Sequence, residues 1–405
     1  MQEYADYTSV PTAWLTELPS HWDCKKIGSL FSERKTKVSD KDFQPLSVAK
    51  IGVVPQLETA VKTDAGDNRK LVRAGDFVIN SRSDRKGSCG VSELDGSVSL
   101  INIVLTPRSQ WNAKYVHYLM RSQPFSEEYY RYGRGIVSDL WTTRFSEMKN
   151  ILLPIPSRSE QDQIVRFLDW KVSMINRLIN TKRKEIKAVD AMKRSMVSSA
   201  VTRGLNPGTP MKFSGVKWLG DIPEHWETIK LRQLLHPVSI KNHPELPLLS
   251  VVREQGVIVR DVTDKEANHN YIPDDLSGYK MVKKGQFAMN KMKAWQGSYG
   301  ISDYTGIVSP AYFIFDVSFD NLEYFHYAIR SKVYVNFFAQ ASDGIRVGQW
   351  DLQMDKMKEI PFIVPPADEQ VAIVEYIKQT LPRYDVAIEK LTAEVETLEE
   401  YKAKL

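Results

Sequence analysis

The stretch WLTELPSHW at residues 14–22 returns as WLGDIPEHW at residues 218–226, with five identities in nine positions at an offset of 204. A second stretch, GSCGVSELDGSVS at residues 87–99, returns as GSYGISDYTGIVS at residues 297–309, with seven identities in thirteen at an offset of 210. These matches keep one order along the chain. They indicate a duplicated domain, because the units of solenoid proteins run only ~20 to 50 residues.

Each half is predicted to begin with an α+β globule. Short runs rich in Val, Ile and Phe, such as residues 77–80 and 99–105, are separated by Gly, Asp, Ser and Pro clusters, which is typical of strands and turns. A Tyr-rich amphipathic stretch from Ala113 to Tyr132 predicts a helix, and its counterpart is Leu322 to Ala339.

The end of each half is predicted to be a long helix. Apolar residues follow a 4-3 spacing after Pro156 and Pro366, and a sustained heptad of this kind requires a partner helix. The seam positions are Leu168, Val172, Ile175, Ile179, Ile186, Val189 and Met196 in the first helix, and Ile377, Leu381, Tyr384, Ile388, Leu391, Val395, Leu398 and Leu405 in the second. Lys182 and Lys193 interrupt the first seam.

Charge favours pairing of the two helices with each other. Residues 182–194 hold six Lys or Arg against two acids, and residues 389–404 hold five Glu against three Lys. Pro382 is expected to kink the second helix or to divide it. The predicted fold class is therefore α+β and internally duplicated, with two α/β globules separated by two long antiparallel heptad helices.

Composition excludes several classes of protein. The 405 residues include 42% hydrophobic and 26% charged residues, a globular balance, and the net charge of +5 is compatible with a nucleic-acid partner without requiring one. No apolar run reaches the ~18 residues that a membrane span needs. The two cysteines, Cys24 and Cys89, form no metal or disulfide pattern. A cytoplasmic protein without a membrane anchor is expected.

The ordered recurrence of these features resembles the specificity subunit of type I restriction–modification systems. The resemblance covers essentially the whole chain. It is carried by the Pro-x-His-Trp segments at 19–22 and 223–226, the GS-x-G-[VI]-S segments, the Gly-Ile…Trp segments at 135–141 and 344–350, and the Glu-Gln pairs at 160–161 and 369–370.

The resemblance implies a division of the chain and a set of partners. Residues 1–155 and 206–363 would be target-recognition domains, each reading one half of a bipartite double-stranded DNA target. Residues 156–205 and 364–405 would be spacer helices that set the gap and dock two DNA adenine methyltransferase subunits. These subunits would bring S-adenosylmethionine, motor-nuclease subunits could join them, and this chain would hold no cofactor or metal and would not be catalytic.

The best candidates for DNA contact lie in two equivalent loops. Base edges are read mainly by Arg, Lys, Asn and Gln, and residues 80–88 and 290–298 share Asn and Gly-Ser but differ in between. The candidates in the first loop are Arg82, Ser83, Arg85 and Lys86, and those in the second are Lys291, Lys293, Trp295 and Gln296. An ordinary basic hairpin is the alternative interpretation of these loops.

A second candidate segment precedes each long helix. It offers Arg134 and Arg144 in the first half, and Arg346 and Gln349 in the second. The recurring Trp141 and Trp350 are predicted to be framework. The recurring histidine pairs, His21 with His225 and His117 with His326, are predicted to have structural roles.

Enzymatic alternatives find little support. There is no Asn/Asp-Pro-Pro-aromatic loop for amino-methylation and no P-loop. Asp274 and Asp275 loosely imitate a nuclease cluster but have no counterpart in the first half, which favours a turn. A protein-binding scaffold on a coiled-coil stalk remains the alternative function.

Overall fold

The computed structural model describes residues 4–57, 66–135, 141–261, 272–344 and 350–405. The chain divides into two compact units. Unit 1 holds the described residues up to Lys182 together with Ala393–Leu405, and unit 2 holds Arg183–Thr392. Each unit combines strands and short helices with parts of two long helices, which confirms the predicted α+β class.

Unit 1 is built around an antiparallel sheet in the order β10-β9-β12-β4, next to a three-stranded sheet β11-β8-β5. In the first sheet Ile79 of β9 lies opposite both Cys89 of β10 and Ile103 of β12. The strands are β1 (Tyr7–Ser9), β2 (Glu17–Pro19), β3 (Asp23–Lys26), β4 (Phe31–Glu33), β5 (Lys37–Val38), β6 (Leu46–Ala49), β7 (Gly52–Pro55), β8 (Arg69–Val72), β9 (Phe77–Asn80), β10 (Cys89–Val91), β11 (Gly96–Val98), β12 (Asn102–Pro107) and β13 (Leu152–Ile155).

Unit 2 repeats this arrangement. Its four-stranded sheet has the order β17-β24-β21-β22, the same path as β4-β12-β9-β10. The strands are β14 (Met211–Phe213), β15 (Asp221–Pro223), β16 (Glu227–Lys230), β17 (Leu235–Val238), β18 (Leu249–Val252), β19 (Gly256–Val259), β20 (Lys280–Val282), β21 (Phe287–Asn290), β22 (Tyr299–Ile301), β23 (Gly306–Val308), β24 (Tyr312–Val317), β25 (Ser342–Asp343), β26 (Asp351–Leu352) and β27 (Pro361–Val364).

The helices follow the same duplicated order. Unit 1 contains α1 (Ile27–Leu30), α2 (Ala113–Leu119), α3 (Gln123–Arg131) and α4 (Phe145–Met148), and unit 2 contains α6 (Leu322–Ile329), α7 (Lys332–Gln340) and α8 (Met354–Lys358). The two long helices are α5 (Arg158–Arg203, 46 residues) and α9 (Ala367–Ala403, 37 residues).

The prediction of one helix over 113–132 and one over 322–339 is wrong, because each stretch forms two helices. Ser122 adopts an extended backbone (ψ 149°) and its side chain accepts a hydrogen bond from the Phe125 N–H, so it caps α3. Ser331 has the same extended backbone (ψ 157°) before α7. A serine in the extended conformation ends one helix and begins the next.

Buried aromatic side chains fill both cores. Phe77, Phe125 and Tyr129 are fully buried in unit 1, and the rings of Phe125 and Tyr129 stack at 6.3 Å. In unit 2 Phe287 lies 5.8 Å from Tyr299 and 5.8 Å from Phe325, between ring centroids. Burying side chains of this size is worth roughly 1.5–3 kcal/mol each, which makes these clusters the main stabilising feature of each unit.

The heptad seam of the long helices is confirmed by burial. Every predicted seam position of α5 is buried or half-buried, Lys182 and Lys193 included, and so is every seam position of α9 up to Leu398. Leu405 lies beyond the end of α9 and is exposed, so it does not continue the seam. Pro382 lies inside α9 without dividing it.

The two lysines of the seam are paired with acids of the opposite helix. In unit 1, Lys182 lies 2.9 Å from Glu394, and Lys402 donates a hydrogen bond to Asn176 at 2.9 Å. In unit 2, Lys193 pairs with Asp385. In unit 1, residues further along α5 contact residues earlier in α9, since Asn176 contacts Lys402 and Lys182 contacts Glu394. The two helices therefore run antiparallel there.

Candidate nucleic-acid interface

The two candidate loops are built on the same backbone frame. In the first loop (residues 80–88), Asn80 Oδ1 accepts a hydrogen bond from the Arg82 N–H at 3.1 Å, and the Asn80 N–H donates to the Ser88 carbonyl at 2.9 Å. Gly87 has a φ of +76°, a conformation that glycine adopts without strain.

The second loop (residues 290–298) repeats these bonds. Asn290 Oδ1 accepts from the Met292 N–H at 3.1 Å, the Asn290 N–H donates to the Ser298 carbonyl at 3.0 Å, and Gly297 has a φ of +93°. The residues shared by the two sequences therefore shape the loop, and the residues that differ are the ones it presents.

The first loop presents cations. The side chains of Arg82 and Arg85 are 43% and 67% exposed, and both approach the single carboxylate of Asp84, at 3.4 and 3.6 Å. Lys86 lies over the ring of Tyr130, 5.6 Å from its centroid. Because two guanidinium groups share one carboxylate, the loop keeps a net positive charge that suits a polyanion.

The structure brings the second candidate segment of unit 1 against this loop. The Ser83 N–H donates to the Trp141 carbonyl at 2.9 Å, and Thr142 forms backbone bridges with both Arg82 and Arg134. Arg134 and Arg144 are exposed. All six predicted contact residues of unit 1 thus lie in or beside one loop assembly, namely Arg82, Ser83, Arg85, Lys86, Arg134 and Arg144.

The second loop presents a different chemistry. Lys291 pairs with Asp351 at 3.0 Å, whereas Lys293 is exposed. The Trp295 indole N–H donates to the Met292 carbonyl at 3.1 Å, and its ring lies 5.1 Å from that of Trp350. Gln296 is half-buried beside Trp295. Arg346 and Gln349, also predicted contacts, lie outside the described residues.

The recurring histidines are structural. The ring Nδ1 atoms of His117 and His326 accept hydrogen bonds from the backbone N–H groups of Val91 and Ile301, each at 3.3 Å. Burial, followed by the neighbouring charges of Arg121 and Arg330, lowers the pKa of both rings to about 4. They are therefore neutral at pH 7 and hold a strand against a helix.

The Pro-x-His-Trp segments and the Glu-Gln segments meet in space. His21 Nε2 lies 2.7 Å from Glu160 Oε1, and the Trp22 indole N–H donates to the same oxygen at 3.1 Å. In unit 2, His225 and Trp226 bind the same carboxylate, Glu369, but through its two different oxygens, His225 at Oε1 and the Trp226 indole N–H at Oε2. This contact, called here the carboxylate clasp, fixes the first turn of each long helix to its globule.

Several cations of unit 1 were not predicted from the sequence. Lys35, Lys70 and Lys149 line a cleft that also contains Thr142 and Arg144. Lys35 lies in the loop between β4 and β5, Lys70 lies in β8, and Lys149 directly follows α4, so the three are far apart in sequence. No local pattern connects them. The pairing of β5 with β8 brings Lys70 next to the segment of Lys35, and the Gly28 N–H donates to the Lys149 carbonyl at 2.9 Å just before β4.

The residues proposed for a nuclease alternative form a turn. Asp275 accepts a hydrogen bond from the Ser277 N–H at 2.8 Å, which is the bond of an Asx-turn. Within the described ranges no group of three His, Cys, Asp or Glu residues is placed to hold a metal ion. No described helix is long and apolar enough to cross a membrane.

Comparison with known proteins gives two curated relatives, both from Methanocaldococcus jannaschii. The type I restriction enzyme MjaVIII specificity subunit is 33% identical over 87 residues, which is 22% of this chain and 19% of the relative. The putative type I restriction enzyme MjaX specificity subunit is 25% identical over 272 residues, which is 64% of this chain and 58% of the relative. The matches thus span less than two thirds of either relative. No protein-family model matches the chain.

A solved structure shows the fold. A chain from a structure concerned with complex assembly and conformational transition of the type I restriction–modification system aligns with a TM-score of 0.63 at 13% identity, covering 95% of this chain and 96% of the other. The HsdS subunit of Thermoanaerobacter tengcongensis aligns over 98% of this chain and 99% of its own, with a TM-score of 0.46 and 14% identity.

Proposed function

We propose that the chain is a specificity subunit of a type I restriction–modification system, the class of protein to which its relatives belong, and that it selects a bipartite DNA target through its two loops. The globule of unit 1 reads one half-site and the globule of unit 2 reads the other. The chain itself carries out no chemistry and acts within a larger complex.

One observation carries this proposal. The two loops, residues 80–88 and 290–298, share the same backbone hydrogen bonds but present different side chains. The frame bonds of Asn80 and Asn290 agree to within 0.1 Å, while Arg85 in the first loop stands where Trp295 stands in the second. Two domains that read different bases need the same loop geometry and different contact groups, because base edges differ in their donors and acceptors.

The long helices are proposed to set the gap and to dock two DNA adenine methyltransferase subunits. Trp170, Met174 and Leu178 are 56%, 48% and 45% exposed along one face of α5. Their spacing of four residues places them in one apolar stripe, and exposed apolar stripes of this kind mark protein-binding surfaces. S-adenosylmethionine would be bound by the methyltransferase, and motor-nuclease subunits would join this core.

Two matched substitutions test the assignment of one loop to each half-site. Arg85→Ala and Trp295→Ala change equivalent positions at an offset of 210. Each variant is co-purified with the methyltransferase, and its sequence preference is measured by competitive binding to variant duplexes. We expect each variant to lose ~1–3 kcal/mol of discrimination in one half-site, and the two affected halves to differ. Loss in the same half for both variants, or in neither half, would contradict the proposal.

A further inference from the structure

A cationic cleft of unit 1 lies beside the first loop. Its volume is about 620 Å³, and four cations line it, namely Lys35, Lys70, Arg144 and Lys149. Glu33 is the one acidic residue among the described residues that line it. Cations in this excess over acids suit a ligand that carries several negative charges.

Two of these cations form an ion pair with an acidic residue of the described chain, and the other two do not. Glu33 lies 3.4 Å from Lys35 and 3.5 Å from Lys70, and Lys70 also donates to the Asn102 carbonyl at 2.8 Å. Arg144 and Lys149 are exposed and have no ion pair with any residue in the described part of the chain. The cleft therefore offers two cations that are free to bind an external anion.

The cleft is continuous with the first loop. Thr142 lines the cleft and forms a backbone bridge with Arg82, and the Thr143 N–H donates to the Ser81 carbonyl at 3.0 Å. Ser81 also lines the cleft. A strand of DNA whose bases meet Arg82 and Arg85 would therefore have its backbone next to Arg144 and Lys149.

The equivalent positions of unit 2 carry less charge. Arg144 corresponds to Gln353 and Lys35 corresponds to Ser239, so two of the four cations are replaced by neutral residues. Lys149 corresponds to Lys358, which lies 3.6 Å from Asp355. Lys280 keeps the position of Lys70 and donates to the Tyr312 carbonyl at 2.7 Å.

We propose that the cleft of unit 1 binds DNA phosphates and that the two units divide their tasks. Unit 1 supplies most of the affinity that depends on salt, through Arg144 and Lys149. Unit 2 binds its half-site with fewer phosphate contacts and relies more on the Trp295–Trp350 pair. The inference rests on the proposed function, because it takes DNA as the polyanion.

The test is the salt dependence of DNA binding by the full chain with its methyltransferase. The logarithm of the affinity falls with the logarithm of salt concentration by about 0.9 for each phosphate neutralised. We expect Arg144→Gln/Lys149→Gln to reduce that slope by about 1.8 and to leave the preferred sequence unchanged. The loss of affinity between 50 and 200 mM salt then shrinks about tenfold.

Lys358→Gln is the matched control, since Lys358 occupies the position of Lys149 but is paired. We expect it to change the slope by much less than one unit. An unchanged slope in the unit 1 double variant, with sequence preference intact, would overturn this inference and leave the proposed function standing. Wild-type binding without any sequence preference would overturn the proposed function, while a reduced slope in the double variant would still support the cleft as a phosphate site.

Discussion

Glu160 accepts a hydrogen bond from the indole N–H of Trp22 at 3.1 Å, although the two residues lie 138 positions apart. Glu369 and Trp226 form the same bond at 3.0 Å. Each long helix therefore begins on a carboxylate that is held by the opening segment of its own globule. This carboxylate clasp makes the direction of the helix depend on the position of the globule, which the proposed spacer role requires.

The clasp predicts a dependence of stability on pH. Burial alone would raise the pKa of Glu160, but hydrogen bonds from His21, Ser157 and Trp22 lower it to about 2, below the ordinary value of 4.5. The carboxylate therefore stabilises the fold above about pH 4.5, and this contribution is lost as the pH falls toward 2. We expect Glu160→Gln to lower the thermal unfolding midpoint at pH 7 and to approach the parent below pH 4.5.

The control for this measurement is Glu396→Gln, on the exposed face of α9. It should follow the parent at every pH. A constant difference between Glu160→Gln and the parent from pH 7 to pH 3 would show that the charge of Glu160 does not stabilise the clasp.

The buried histidines predict a second dependence on pH, in a different range. The folded-state pKa of His117 and His326 is about 4, below the ordinary value of 6.5. The unfolded chain therefore takes up protons first, and stability falls as the pH is lowered from about 6.5 to 4. The variant His117→Asn/His326→Asn should be less stable at pH 7.5 but lose less stability on going to pH 5. Chemical denaturation at the two pH values measures this, and equal losses in parent and variant would refute it.

The seam of the long helices predicts a contrast between a charged and an apolar position. Lys182 is 25% exposed and pairs with Glu394, an arrangement that contributes at most about 1 kcal/mol. Ile179 is 5% exposed, and its truncation to alanine removes buried contacts worth about 2–5 kcal/mol. We expect Lys182→Met to change the free energy of unfolding by less than about 1 kcal/mol and Ile179→Ala to lower it by at least twice that. A larger loss of unfolding free energy in Lys182→Met than in Ile179→Ala would contradict this and would show that ion pairs, not apolar burial, stabilise the seam.

The duplication, the long helices and the two loops could be predicted because each leaves a local pattern. The heptad of residues 168–196 follows from spacing alone, and the loop frame follows from the recurrence of Asn80 and Asn290. The clasp was not predicted, although both of its segments were recognised, because nothing in the sequence connects Trp22 with Glu160. Lys182 and Lys193 were likewise recognised only as interruptions of the heptad, and their pairing with acids of the opposite helix was not predicted.

The cationic cleft could not be predicted for a related reason. Lys35, Lys70 and Lys149 belong to separate segments of the chain, and they meet only in the folded unit, where β8 pairs with β5 and Lys149 contacts the backbone of Gly28. The break between α2 and α3 was missed because the amphipathic pattern continues through it. The extended backbone of Ser122 overrides that pattern.

The proposed role of the helices predicts the effect of lengthening them. One heptad is inserted between Lys182 and Arg183 and another between Thr392 and Ala393, which keeps the seam in register. Seven residues add about 10 Å of helix, or about three base pairs of DNA. We expect both half-sites to be retained and the gap to grow by about that amount, as measured by selection from random duplexes. An unchanged gap with altered half-sites would contradict the proposal that the helices set the gap.

The central claim is tested most directly by selecting bound sequences from a random duplex library with the wild-type chain co-purified with the proposed methyltransferase partner. We expect an enriched motif of two unlike half-sites around an unspecified gap of fixed length. A single contiguous motif, or no motif, would contradict the claim and favour a protein-binding scaffold.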